Sequence, residues 1–338
     1  MPPRNLAKLL SVLGPFLVLL FVTLLFAALL GAKDAASRHG DNPTEDLKNF
    51  FSTVNVVTIL AQSVIVAIGA LGMTLIIVSG GIDLSVGSVI ALTSVTGAVL
   101  LRASGASGSA LLVTVLAGGM VGRVNGALIA GLRMTPFIVT LGMLGIARGV
   151  AKWLADNATV NSDHITNSAI AGLMRDANWL GLALPPGVVI AFVLAVLTAV
   201  VMRHTVFGRH IFAIGSNEAT ARLCGIRTRL VKIGLYSMAG LYFGLAGVMQ
   251  LSRLRQGDPT AAAGLELDMI AAVVIGGASL SGGTGSILGA MIGALTMAVL
   301  RTGSQYMDWS NFTQEIIIGV LIILAVGLDR LRQGRTKS

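Results

Sequence analysis

RHTVFGRHIFAIGSNEATARLCGIRTRLVK, residues 203–232, is a polar, basic stretch set between two long apolar runs, 187–202 and 233–251. It carries Arg203, Arg209, Arg222, Arg227, Arg229 and Lys232 against a single acid, Glu218. Between membrane spans such a loop stays on the cytoplasmic side, because loops rich in Lys and Arg resist translocation. Gly208 and Gly215 bracket a short apolar piece. Ser216 or Asn217 followed by EATARL has the form of an N-cap and first turn of a short amphipathic helix, ended by Gly225. A short helix held at the inner face of a membrane by two spans presents a contact surface.

Working outward, the composition fits that reading. Hydrophobic residues make up 54% of the chain and charged residues 12%, with 42 glycines, more apolar than a soluble core needs. The fold class expected is an all-α polytopic membrane protein. The formal charge of +9 does not point to nucleic acid, because the bases cap apolar runs instead of sharing a face with aromatic residues. The single cysteine, Cys224, rules out an internal disulfide.

Ten runs are long and apolar enough to be candidate spans: 12–30, 54–78, 84–101, 110–131, 135–154, 187–202, 233–251, 265–280, 286–300 and 314–328. The first lacks a small-x-small cleavage site, so it reads as a span and not a signal peptide. An even count puts both termini on one side. With the termini inside, the inner face holds thirteen bases against three acids and the outer face ten bases against twelve acids, with Arg123 inside a span. That asymmetry supports cytoplasmic termini. The polar stretches 33–49 and 155–185 then lie outside, the second with a short interfacial helix around 169–176. Both are too small to capture a ligand, which assigns capture to another polypeptide. GALIAGLR (126–133) resembles GALTMAVLR (293–301), and GGIDLSVG (80–87) weakly echoes QGDPTAAAG (256–264). The paired spans lie five apart, so the copies would cross in opposite directions as an inverted repeat.

The most specific local motif is SGGIDLSVG, residues 79–87. Two glycines permit a tight turn, Asp83 can cap the helix that follows, and Ser85 and Ser88 leave polar atoms beside it. Asp83 reads either as a cap at the membrane boundary or as a substrate contact. Asn55, Gln62, Thr74, Asn125 and Thr140 are polar positions within spans, serving as interhelical glue or lining a path. Arg123 can snorkel, pair with Asp83 or face a wet cavity. Glycines at three- and four-residue spacing, such as Gly118 and Gly122 or Gly240 and Gly244, suit closely packed helices. SLSGGTGS lacks the GKS or GKT of a phosphate loop, and no metal-ligand spacing, nucleophile elbow or paired intramembrane carboxylates occur. His39, His164, His204 and His210 all lie in loops.

SGGIDLSVGSVIALT, NGALIAGLRMTPFIVTLGMLGIARG, FGRHIFAIGSNEATARLCGI and LELDMIAAVVIGGASLSGGTGSILGAMIGAL, in that order, resemble the permease subunits of ATP-binding-cassette importers for monosaccharides of the ribose, galactose, arabinose and xylose type. The resemblance covers nearly everything from residue 55 to 327. It implies a single permease domain over 1–338 with the architecture of the vitamin B12 permease (a type II importer), a homodimer of ten-helix subunits in a bacterial inner membrane. It further implies a periplasmic sugar-binding protein and a cytoplasmic ATPase with two fused cassettes that uses ATP and Mg. Residues 203–232 would supply the coupling helix that docks on that ATPase, a role carried to Gly208, Arg209, Ala213, Gly215, Asn217, Glu218, Ala219, Ala221 and Gly225. The translocation-path candidates are Asn55, Gln62, Thr74, Asp83, Ser85, Ser88, Asn125 and Thr140. Arg123, where relatives have an apolar or small residue, is the departure. The chain itself is expected to bind no cofactor or metal.

The function expected is the membrane half of a monosaccharide importer working by alternating access. Within the same class the alternatives are a branched-chain amino acid, a nucleoside or a sugar-like signal. A secondary transporter would need intramembrane acids to couple ions, and these are nearly absent. A membrane enzyme lacks its catalytic constellation.

Overall fold

Twenty-six consecutive uncharged residues, Thr53–Val78, form the helix around which the others gather. At 1.5 Å per residue it is about 39 Å long, more than the roughly 30 Å core of a bilayer. Its second half, from Val64 to Val78, is buried on all sides. The computed structural model describes residues 4–36, 45–175, 178–179 and 182–334. Arg38, Asp41, Asp176, Arg335 and Lys337, all used in the charge count above, lie outside the described residues.

In chain order the helices are α1 (Arg4–Ala36), α2 (Glu45–Phe50), α3 (Thr53–Val78), α4 (Val86–Ser104), α5 (Ser107–Gly131), α6 (Pro136–Leu154), α7 (Asp163–Thr166), α8 (Pro186–His204), α9 (Val206–Ser216), α10 (Glu218–Leu223), α11 (Thr228–Leu254), α12 (Leu265–Ile275), α13 (Ile287–Tyr306) and α14 (Asn311–Gly334). A two-residue antiparallel ladder pairs Asn178 with Ala183 and Trp179 with Leu182. The outer stretch 155–185 holds a 3₁₀ turn at Ile170–Gly172 where a helix is expected around 169–176.

Each of the ten expected runs falls on a helix. Among the described residues eight helices are long and apolar enough to cross a membrane. α12 is the clear exception. It has 11 residues, about 17 Å at 1.5 Å each, too short to cross. The run 265–280 reads as continuous because Gly, Ala and Ser are tolerated in hydropathy, but the backbone leaves the helix at Gly276 and Gly277, the latter at φ 90°. Apolar side chains on α1, α5, α6 and α8, among them Phe21, Met120, Ile138, Leu141 and Phe192, are exposed and form the lipid-facing flank.

α5 and α11 pack extensively along their lengths. A Cβ at Gly118 or Gly122 would fall on the backbone of Gly240 or Tyr236, so only glycine permits this approach. Loops expected on opposite sides gather at opposite ends. At one end Gly283 donates its N–H to Val78 O at 2.8 Å. At the other, Val160 and Gly257 form an antiparallel bridge, Ala169 N–H reaches Ser107 Oγ at 3.3 Å, and Lys33 meets Asp46 at 3.1 Å and Asp308 at 2.9 Å.

The weak sequence echo between 80–87 and 256–264 has a geometric counterpart. Asp83 Oδ1 accepts from the N–H and Oγ of Ser85 at 2.8 and 2.6 Å, and Asp258 Oδ1 accepts from the N–H and Oγ of Thr260 at 2.7 and 2.7 Å. α6 clamps both turns. Near its start Thr140 Oγ1 accepts from Leu84 N–H at 3.2 Å, and two turns later Arg148 donates to Pro259 O at 2.8 Å and Ala261 O at 2.7 Å. The same Asx turn thus closes the α3–α4 and α11–α12 connections at the two ends of the bundle.

Candidate functional site: the loop surface and a buried polar turn

The basic stretch between α8 and α11 folds as two helices, α9 and α10. Thr205 Oγ1 accepts from Gly208 N–H at 3.1 Å and starts α9. The apolar piece between Gly208 and Gly215 is therefore part of an 11-residue helix, and both glycines lie within it. Close approach, not a turn, demands them. A Cβ at Gly208 would strike the backbone of Met202, and one at Gly215 would strike Val78 O and Gly283 N. Ile211 and Ile214 are buried beneath the helix, whereas Arg209 is exposed and Ala213 is half-buried.

Asn217 caps α10, its Oδ1 accepting from Thr220 N–H at 2.9 Å. Gly225, at φ 83°, closes it: Gly225 N–H bonds Arg222 O and Ile226 N–H bonds Ala221 O at 3.0 and 3.1 Å, a Schellman-type ending. Of the two N-caps the sequence allowed, Asn217 is used and Ser216 ends α9. Ala221 faces the protein at 4% exposure, while Ala219, Thr220 and Leu223 face outward, Leu223 at 88%. Glu218 bonds Lys232 at 2.7 Å and Arg222 at 3.5 Å, tying α10 to the start of α11.

Beneath this surface three backbones meet. Gly215 touches the end of α3 and the loop after α12, and Gly282, at φ 84°, packs against Gly80 and the carbonyl of Gly215. Contacts of main chain on main chain have no side-chain rotamers to absorb displacement. A push on α10 therefore reaches the central helix and the 276–286 loop with little slack.

Within the 79–87 motif Gly80 is exposed, but Asp83, Ser85, Val86 and Gly87 are buried. Asp83 is 1% exposed and makes no ion pair among the described residues. It does not cap α4 either, since the N-cap is Ser85, which makes no side-chain capping bond. Burial raises the Asp83 pKa, and the Ser85 hydroxyl, the Ser85 N–H and the Asn125 amide only partly offset this. Asn125 Nδ2 lies 3.2 Å from Ser85 Oγ and 3.5 Å from Asp83 Oδ2. Arg123 does not reach this cluster: it is exposed on the other face of α5, so of the three alternatives for it the pairing with Asp83 does not form. Ser88 Oγ, Asn125 Oδ1 and Tyr236 Oη are buried without a partner among the described residues. Tyr236 Oη lies beside Gly81, close enough that a Cβ there would come within 2.6 Å of it. Nothing in the sequence marked this tyrosine, because a lone Tyr in an apolar span reads as packing.

The structure places the path candidates in several separate settings. Asp83, Ser85, Asn125 and Thr140 come together in the buried turn. Asn55 serves the start of α3, its Nδ2 donating to Phe50 O at 2.7 Å. Thr74 bonds its own helix at Ala70 O, 2.6 Å away, and borders a cavity of about 360 Å³ with Arg203, Phe212 and Ser286. Gln62 accepts from Thr302 Oγ1 at 3.2 Å and lines a smaller cavity of about 110 Å³ with Arg253, Arg301 and Gln305. Behind it Arg301 Nε donates to Asp268 Oδ2 at 3.0 Å, with Asp268 1% exposed. The near-absence of acids within apolar runs thus overlooks Asp268, whose partner lies 33 residues away.

Comparison with known proteins follows the same lines. A family described as the permease component of branched-chain amino acid transport systems matches residues 55–326. The chain is 41% identical to the ribose import permease protein RbsC of Escherichia coli (strain K12), over 84% of this chain and 88% of that one. It is 37% identical to RbsC of Bacillus subtilis (strain 168), covering 94% and 92%, and 34% identical to the fructose import permease protein FrcC of Rhizobium meliloti, covering 94% and 84%. No solved structure matches. With its apolar helices, a family match across nearly all the spans and relatives up to 41% identical over most of its length, the chain belongs to the permease-component family of membrane transport systems.

Proposed function

We propose that this chain is the membrane-spanning subunit of an ATP-driven importer that carries a monosaccharide across a bacterial inner membrane, both termini cytoplasmic. In this reading 1–338 is one permease domain. Two copies form the translocation unit, a periplasmic binding protein delivers the sugar, and a cytoplasmic ATPase with two fused cassettes hydrolyses ATP with Mg. The single observation that carries the mechanism is the seating of α9 and α10. An exposed surface of Arg209, Asn217, Ala219, Thr220 and Leu223 stands on a glycine-built junction with α3 and the loop after α12. A cassette closing on that surface moves the central helix by rigid contact, which is what alternating access requires.

The monosaccharide rests on relatives that are ribose, fructose and arabinose permeases, and the family description keeps a branched-chain amino acid as the second reading. Proteoliposomes containing the permease, its ATPase and its binding protein decide between them. ATP-dependent uptake of labelled ribose, fructose or arabinose with none of leucine is expected. Uptake of leucine alone would refute the sugar assignment, and ATP-independent uptake driven by an ion gradient would refute the class.

A further inference from the structure

Beside α10 the structure holds a groove of about 600 Å³, lined by the end of α5, the start of α6, α10 and the start of α11. Its charged lining is Arg133, Arg222, Arg227, Arg229 and Lys232 with one carboxylate, Glu218. Glu218 is already engaged by Lys232 and Arg222. Among the described residues Arg133, Arg227 and Arg229 make no ion pair, and all three are exposed. Two long helices, α6 of 19 residues and α11 of 27, begin in the groove, and neither N-cap, Thr135 or Arg227, makes a side-chain capping bond. Their partial positive charge adds to that of the arginines.

The rim is apolar. Leu132 and Met134 flank Arg133, Phe137 and Ile138 follow Pro136, and Leu230 follows Arg229; all five are exposed. From there the exposed face continues along the membrane helices through Leu141 on α6 and Val124 and Met120 on α5. A headgroup-sized basic groove at a span boundary, opening directly onto a lipid-facing strip, matches one kind of molecule in both of its halves. We infer that the groove binds an anionic phospholipid, its phosphate held by Arg133, Arg227 and Arg229 and its acyl chains lying on the α5–α6 face. An acidic segment of a soluble partner would match the charge but would leave the apolar rim without a role. The groove adjoins the outward face of α10 proposed to receive the ATPase: Glu218 and Arg222 of α10 line it, whereas Ala219, Thr220 and Leu223 do not.

The test is thermal stability of the detergent-solubilised full chain with added phosphatidylglycerol, phosphatidylcholine or soluble glycerol 3-phosphate, together with mass spectrometry of the lipid that co-purifies. Phosphatidylglycerol is expected to stabilise and to be retained, and the other two are not. Arg133→Gln, Arg227→Gln and Arg229→Gln combined should weaken retention roughly a hundredfold, since each basic residue near an anionic headgroup contributes roughly fivefold. The three Arg→Lys changes should keep most of it. If the triple Gln variant does not accumulate, the wild-type comparison decides alone: equal stabilisation by phosphatidylcholine overturns the site, and equal stabilisation by glycerol 3-phosphate makes it a phosphate site rather than a lipid one. Unchanged lipid retention with loss of ATPase co-purification would instead assign the groove to the partner.

Discussion

Gly215→Ala adds one methyl group at the point where α9 meets α3 and the loop after α12. The new carbon would collide with Val78 O and Gly283 N, which are joined by a hydrogen bond of 2.8 Å. Backbone cannot rotate away as a side-chain tip would. Overpacking of this kind costs about 1–3 kcal/mol. Prising apart the bond adds about 1 kcal/mol, and the better helix propensity of Ala returns roughly 0.5–1 kcal/mol. The net loss is then about 1–3 kcal/mol, larger for Val and larger again for Glu. The assay pairs the melting temperature of the solubilised permease with ATP-driven uptake in proteoliposomes. A graded fall in stability from Gly to Ala to Val, with uptake failing at least as early, is the expected result. As a control, Ala219→Glu lies on the outward face of α10 and should leave the melting temperature unchanged. Wild-type stability and uptake in Gly215→Val would refute the tight junction and with it the rigid coupling argued from it.

Leu223→Asp removes the most exposed apolar side chain of α10 and should abolish ATPase co-purification while leaving membrane levels normal; retention of the ATPase would remove α10 from the docking surface. Asp83→Ala strands the Ser85 N–H and hydroxyl in a buried site, at about 1–3 kcal/mol for each unsatisfied group, whereas Asp83→Asn keeps an acceptor and should retain near-normal stability. Because burial raises the Asp83 pKa, the folded chain binds this proton at a higher pH than the unfolded chain does. Its contribution to stability is thus fully present below the ordinary carboxylate value and is lost as pH rises through the raised one, a slope that should be absent from melting curves of Asp83→Asn. Cys224 is exposed, so an impermeant thiol reagent should label it in inverted vesicles and not in intact cells; labelling of intact cells would reverse the proposed orientation.

Periodicity and charge made the helical runs, the loop basicity and the capped helix of 217–225 legible, because each depends on neighbours within a few residues. Asn217 with its side-chain acceptor and Gly225 with its freedom to take positive φ do what their residue types dictate locally, and the structure leaves both in place. Hydropathy did not reveal that the run 265–280 stops at Gly276. Nor did residue type reveal why Gly208 and Gly215 are glycines: both sit inside a helix, and the reason is backbone packed against them, Met202 from the end of α8 for Gly208 and the distant Val78 and Gly283 for Gly215. Asp83 is the sharpest case. From its neighbours alone it is a capping acid at a boundary. Only the arrival of Ser85 with Asn125 from α5 and Tyr236 from α11 makes it a buried carboxyl group beside unpartnered polar atoms. Asp268 and Arg301 likewise acquire meaning only as a pair. The sequence by itself therefore determined the class, where the helical runs lie and the local caps, which are set by short-range propensity and solvent preference. The tertiary structure decided burial, ionic pairing and which backbones touch, since these depend on distances between segments that no local pattern encodes.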